Sequence, residues 1–278
     1  MTKKENYSEA NYLFGIKESV ELATERIKDA YSFSSNLGLG KLYVCFSGGK
    51  DSVAILGVCK KAFGDDFLNF CEFHYSVTGI DHPDLFYFIK DNFPFVIFDY
   101  PETNMWKLIL KKKMPPTRLM RYCCQELKER GGFGRFCVTG VRWEESVRRK
   151  LRRGALEKDG VILNADNDKD RRELEHCIPK RKYICNPIVD WSEEEVWRFI
   201  IQENLPYCKL YDEGFKRLGC IGCPMASIKE RRKEFARYPK FKKQYLRTFE
   251  KMIKIRKEKG LKCDWETGEE VYEWWLSK

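Results

Sequence analysis

Apolar residues recur along this chain with two different periods. Ile16, Val20, Ala23, Ile27 and Ala30 return at three- and four-residue steps, one stripe of a helix over residues 7–31. The glycines of Asn36-Leu37-Gly38-Leu39-Gly40 end it. Leu42-Tyr43-Val44-Cys45-Phe46 is a short unbroken run of strand formers and predicts a buried strand. Residues 51–63 are helical in type. Strand signals then fall at 67–73, 95–100, 135–140 and 183–191. Helical signals fall at 84–92 and after Ser192, which stands at capping-box spacing from Glu195. Residues 105–120, with Lys111-Lys112-Lys113 and Pro115-Pro116, read as a surface connection. Strands alternating with helices, on connections long enough for a crossover, predict an α/β fold with a doubly wound, mainly parallel, Rossmann-like sheet.

Towards the end the pattern changes. Phe235, Tyr238, Phe241, Tyr245, Phe249, Met252 and Ile255 recur at helical steps through a basic stretch, one or two helices over 229–259. A last amphipathic helix covers 265–276. Three parts are expected: a helical segment 1–40, a nucleotide-binding α/β domain 41–224 and a basic helical appendage 225–278. Residues 154–182, with Asn164-Ala165-Asp166-Asn167-Asp168, are polar and read as a mobile lid. Of the 278 residues 43% are hydrophobic, enough for a large core. No apolar run of spanning length and no secretory h-region is present, so a cytoplasmic protein with no membrane partner is expected.

Charge sharpens this picture. The formal net charge is +10, and it is concentrated. Residues 107–153 and 229–262 each hold fifteen basic and four acidic residues, which leaves the remainder net acidic. Such a surplus suits an acidic partner, a nucleotide, DNA or RNA.

The sharpest chemical signal follows the first strand. Ser47-Gly48-Gly49-Lys50-Asp51-Ser52 joins it directly to a helix. That order gathers helix N-terminal N–H groups, the Lys50 charge and the Ser47 and Ser52 hydroxyls at one point, which suits a phosphate. The cysteines give a second signal. Twelve are many for a chain without a secretory signal, and part of the set reads as metal thiolates. Cys123 and Cys124 are adjacent, and Cys220-Ile221-Gly222-Cys223 follows about a hundred residues later; iron–sulfur clusters and zinc both use such sets. Cys45, Cys59 and Cys71 read as small core residues. His74 and His82 read as structural hydrogen-bonders, and Trp191 and Trp197 as packing residues.

SGGKDS after a strand resembles the PP-loop of the adenine nucleotide alpha-hydrolases, a group of ATP pyrophosphatases, tRNA thiolation enzymes and sulfonucleotide reductases. TGIDHP, the CC-x-x-x-K pattern of Cys123 to Lys128, TGVRWEES and GCIGCP follow in order, and from Leu42 to Pro224 the chain resembles the phosphoadenosine phosphosulfate (PAPS) reductase-like family. The resemblance implies that Ser47, Gly48, Gly49, Lys50, Asp51, Ser52, Thr78, Gly79, Gly140, Arg142, Ser146 and Arg149 bind an adenine nucleotide, ATP or PAPS/APS. Lys50, Asp51 and Arg142 would take part in catalysis, with Asp51 helping to place Mg²⁺. It also implies a [4Fe–4S] cluster near the phosphates. Cys123, Cys220 and Cys223 are ligands on this reading, and Cys124 and Cys208 are alternatives for the fourth position. Where reductases carry a Glu-Cys-Gly-Leu-His tail, this chain has Lys262-Cys263-Asp264-Trp265, which puts reduction to sulfite in doubt. The expectation is therefore cleavage of ATP to AMP and pyrophosphate. That step would activate an acceptor, nucleic acid first, for sulfur from a donor such as a cysteine desulfurase. A thioredoxin-dependent sulfonucleotide reductase, with Cys263 as its thiol, and an accessory subunit of a DNA modification or defence complex are the alternatives.

Overall fold

The structure, a computed structural model, describes residues 2–3, 13–128, 131–158, 161–163 and 183–278. In chain order its main elements are α1 (Leu13–Asn36), β1 (Leu42–Cys45), α2 (Lys50–Phe63), β2 (Cys71–Ser76), α3 (Pro83–Asn92), β3 (Ile97–Asp99), α4 (Met105–Lys112), α5 (Tyr122–Leu127) and β4 (Phe136–Val138). Then come α6 (Val147–Arg152), β5 (Leu156–Lys158), β6 (Val161–Leu163), β7 (Tyr183–Cys185), α7 (Glu193–Gln202), α8 (Ile228–Arg237), α9 (Pro239–Glu258) and α10 (Gly268–Ser277). They form two compact units. A sheet unit takes residues 1–75, 86–98 and 132–217, and a helical unit takes 76–85, 99–131 and 218–278.

The sheet has seven strands in the order β3-β2-β1-β4-β7-β5-β6. β2, β1, β4 and β7 run parallel, and β5 and β6 add an antiparallel edge. The fold class is the one expected. Val44, Phe136, Cys137 and Val138 at its centre are fully buried, as the unbroken apolar runs require of strands covered on both faces. α2 packs against α1 and α7. The Ser192 capping box forms: its Oγ accepts from Glu195 N at 3.1 Å, and Glu195 Oε2 accepts from Ser192 N at 2.7 Å.

Four boundaries differ from the sequence pattern. α1 continues five residues past Tyr31, to Asn36, while residues 7–12 lie outside the described residues. Phe67–Phe70 forms a helical turn and the strand begins only at Cys71, because a short run rich in apolar residues is compatible with either state. Part of the expected lid is instead the β5–β6 edge; residues 164–182 lie outside the described residues. The expected surface connection contains α4, whose Met105, Leu108 and Ile109 are buried at helical spacing, with Asn104 Oδ1 capping Lys107 N at 2.9 Å. The lysine run that suggested a loop is the last, exposed turn of this helix.

The core of the helical unit is aromatic. Phe235, Tyr245, Phe249, Tyr272 and Trp275 pack with Met252, Ile221, Leu108 and Ile109. The basic stretch forms two helices because Pro239 stands at the first turn of α9 and excludes helical backbone at Tyr238. The apolar stripe lies in the core, as expected. Among the described residues, no helix is long and apolar enough to cross a membrane.

Candidate functional site

In the sheet unit, β1 delivers the chain to the glycine turn. Gly48 takes a left-handed conformation (φ 69°), Gly49 caps α2, and Lys50 opens the helix. The loop is tied inward: Ser52 Oγ donates to Gly49 O at 2.9 Å, and the Ser47 and Ser52 hydroxyls are 3.2 Å apart. Gly140, just after β4, lies so close that a β-carbon there would sit 3.1 Å from Asp51 Cβ and 3.2 Å from its carbonyl carbon. A larger residue at 140 would push the β4 loop away from the start of α2 by a few tenths of an ångström, and two residues on, Arg142 reaches Asp51.

Arg142 is 2% exposed. Its Nε donates to Asp51 Oδ1 at 2.7 Å, and Nη1 donates to Glu144 Oε2 at 2.8 Å and to Trp191 O at 3.1 Å. Burial alone would lower its pKa, but Asp51, Glu144 and Glu145 outweigh that and raise it. Lys50 Nζ lies 3.4 Å from Asp51 Oδ2 and 3.9 Å from Glu193 Oε1. Lys50, Asp51 and Arg142 therefore form one ion group at a helix N-terminus. Ser146 and Arg149 are engaged locally: Ser146 Oγ accepts from Arg149 N at 3.2 Å to cap α6, and the Arg149 side chain pairs with Glu145.

Tyr211 belongs to this group and was not anticipated. Its buried hydroxyl accepts from Lys50 N at 2.9 Å. Burial pushes its pKa up, so the phenol keeps its proton as a donor. It stands 161 residues from the loop, and nothing in the linear pattern points to it.

In the helical unit, Cys123, Cys124, Cys220 and Cys223 act electrostatically on one another. Cys124 is drawn down to about 5, first by the hydrogen bond with Cys123, with Arg121 Nη2 adding a contact at 3.4 Å. Burial raises Cys220, while the positive charge of Lys128 pulls the other way. Lys128 counts as exposed along its length, yet its charged end faces this sulfur. Asp81 bridges Cys220 through the backbone, and the Cys220 thiol lies 3.6 Å from Thr78 Oγ1. Thr78 and Gly79 thus belong to the same unit as the thiols. Cys208 belongs to the sheet unit, buried beside Tyr211. His82 is fully buried against Gly219 and Glu234, and burial lowers its pKa to about 4. A cavity of about 350 Å³ in this unit is lined by Asp99, Tyr100, Lys111, Glu126 and Lys128.

Among the described residues, no group of three or more His, Cys, Asp or Glu side chains is arranged to hold a single metal ion. The chemistry of the donor set nevertheless fits an iron–sulfur cluster. Four thiols, one of them bonded to Arg121 and another under the charge of Lys128, match a group that needs cysteine thiolates and carries negative charge.

Residues 41–226 match the phosphoadenosine phosphosulfate reductase domain. Two uncharacterized proteins of Methanocaldococcus jannaschii are each 28% identical to this chain, over 71% and 90% of its length. The chain spans 39% and 56% of theirs. An adenosine 5'-phosphosulfate reductase of Geobacillus kaustophilus is 24% identical over 63% of this chain and 79% of its own. The match covers the strand and glycine turn, the paired cysteines, Arg142 and the Cys-x-x-Cys loop together, and the chain belongs to the phosphoadenosine phosphosulfate reductase domain family, a family of nucleotide-binding enzymes.

Proposed function

We propose that this chain cleaves ATP between the α- and β-phosphates and so activates an acceptor for sulfur. The observation that carries this reading is the Lys50–Asp51–Arg142 group at the start of α2, in which both cations are buried. An acceptor oxygen attacks the α-phosphorus, the bond to the bridging oxygen breaks, and pyrophosphate leaves with the electron pair. The loop N–H groups hold the phosphates, and Lys50 and Arg142 offset the charge that builds on the leaving group. A persulfide from a donor such as a cysteine desulfurase then displaces AMP, and a second thiol cuts the S–S bond and departs as the disulfide.

Both Asp51 oxygens are engaged, one by Arg142 and one by Lys50. Mg²⁺ would arrive with the phosphates, and Asp51 would help to place it by giving up one of these contacts. Cys123, Cys124, Cys220 and Cys223 would hold a [4Fe–4S] cluster, which supplies local charge, not the attacking sulfur. The basic surplus makes nucleic acid the leading acceptor. In an anaerobic assay with ATP, Mg²⁺ and tRNA or DNA, pyrophosphate and AMP should appear together. No release with any nucleic acid would count against this reading.

The relatives named adenosine 5'-phosphosulfate reductases favour a second reading, reduction of a sulfonucleotide. Against it, the Cys263 thiol is turned back onto its own loop, donating to Trp265 O at 3.4 Å. Sulfite formed from APS with thioredoxin, and lost in Cys263→Ser, would establish it.

A further inference from the structure

Behind the Cys-x-x-Cys loop lies a buried cation that the packing does not explain. Arg231, on α8, is 1% exposed. Its Nη1 donates to Trp275 O at 2.9 Å and to Leu276 O at 3.2 Å, near the C-terminus of α10. The guanidinium carbon stands 4.1 Å from the centroid of the Trp275 ring. Those contacts use one nitrogen and one face. Nε and Nη2 are buried with no acceptor. Three N–H donors are thus withheld from water and from protein, on a group that cannot shed its charge. Glu234, one turn along α8, does not take them: its Oε2 accepts from Gly222 N at 2.7 Å instead.

The place of these donors is marked by the same ring. Gly222, inside the Cys-x-x-Cys loop, has a left-handed backbone (φ 75°). A β-carbon on it would lie 2.9 Å from Trp275 and 2.6 Å from Phe235. Arg231 and the loop therefore pack on one indole. Cys223 is among the charges that act on the guanidinium. Buried donors of this kind are ordinarily satisfied by something, and a cationic donor seeks an anionic acceptor.

We infer that Arg231 is a positioning residue for the sulfur-ligated centre, donating its spare N–H groups to the Cys223 thiolate or to an inorganic sulfide beside it. This rests on the cluster reading of the four cysteines. The helix C-terminus and Trp275 fix the guanidinium, and its charge offsets that of the centre.

The test uses the whole protein, reconstituted anaerobically with iron and sulfide, as wild type, Arg231→Lys and Arg231→Gln. Gln keeps a donor for the α10 carbonyls and loses the charge; Lys keeps the charge and loses the planar fork. Iron content, circular dichroism, the Fe–S(Cys) stretching frequencies and the rate of iron release to a chelator are compared. Hydrogen bonds to thiolate weaken the Fe–S bond. Losing those bonds should raise the Fe–S(Cys) frequencies, and losing the charge that offsets the centre should destabilise it. The expected result is a normal fold and iron content in both variants, higher Fe–S(Cys) frequencies, and about tenfold faster iron release in Arg231→Gln, with Arg231→Lys, which keeps the charge, in between. If the variants lose only thermal stability while frequencies and release match wild type, Arg231 merely caps a helix and the inference falls, with the cluster reading intact. If a variant does not fold, the decision passes to Trp275→Phe, which leaves Arg231 charged but shifts its support and should raise the same frequencies; unchanged frequencies again overturn the inference. Wild type that takes up no iron overturns both.

Discussion

The glycine loop and the cysteine group are both built around charge, but they balance it differently. At the start of α2, Asp51 already stands between Lys50 and Arg142, and Arg142 reaches Glu144 as well. Around the thiols, Arg121 bonds to sulfur, the charge of Lys128 acts on Cys220, and Arg231 keeps buried donors with no acceptor. The first site is largely neutralised by its own side chains, so a phosphate has to rearrange an existing ion group. The second has gathered cations about sulfurs that become strongly anionic only when deprotonated. The first site balances its charges from within, and on the proposed cluster reading the second is completed by what it binds.

The most severe way to break this comparison is to remove a thiol. In Cys124→Ser, iron and sulfide in the anaerobically purified protein should fall to background, while Cys208→Ser should retain both. The opposite pattern would move the fourth ligand into the sheet unit. Next in size is Arg142→Gln. It leaves Asp51 beside Lys50 alone and removes a buried cation from the leaving group. Pyrophosphate release should fall about a hundredfold to a thousandfold, with iron content unchanged. A loss of less than tenfold would show that Arg142 only ties the β4 loop to α2.

His82 gives a pH test confined to the helical unit. Its folded pKa, about 4, lies below the ordinary 6.5, because burial disfavours the imidazolium despite Asp81 and Asp84 nearby. The unfolded chain takes up the proton first. The His82 contribution is therefore complete above pH 6.5 and is lost as pH falls towards 4, by about 3 kcal/mol at most. Denaturant unfolding followed from pH 7 to 4.5 should show a shallower decline in His82→Gln than in wild type. Parallel declines would mean that His82 is not buried as a neutral ring. The smallest effect is expected from Tyr211→Phe. Losing the hydroxyl that accepts from Lys50 N should weaken nucleotide binding by about 1 kcal/mol, read by calorimetry with ATP. Tighter binding would mean that the phenol competes with phosphate for that N–H.

How much of this was legible in the sequence depended on distance along the chain. The strand–turn–helix at SGGKDS, the Ser192–Glu195 capping box and the aromatic stripe of α9 are local, and they appear where periodicity and spacing put them. α4 was misread because its basic last turn looked like a loop while Met105, Leu108 and Ile109 already had helical spacing. The start of β2 is not legible in the pattern because Phe67, Leu68 and Phe70 suit a helical turn as well as a strand. Tyr211 and Arg231 were not visible at all. A buried hydroxyl acting 161 residues away, or an arginine inside a run of surface arginines and lysines, carries no local mark of its role. Lys128 did have a signal, its place after the paired cysteines. The interleaving of the two units is equally non-local, since the helical unit takes segments from three parts of the chain.

The central claim is that ATP is cut between its α- and β-phosphates at this loop. Positional isotope exchange measures that bond directly. ATP labelled with oxygen-18 at the α–β bridge is incubated with anaerobic holo-protein, Mg²⁺ and nucleic acid. Reversible cleavage should scramble the label into non-bridging β positions of the recovered ATP in wild type, and not in Lys50→Ala. Label that stays wholly in the bridge, or ADP and phosphate as the products, would contradict the account.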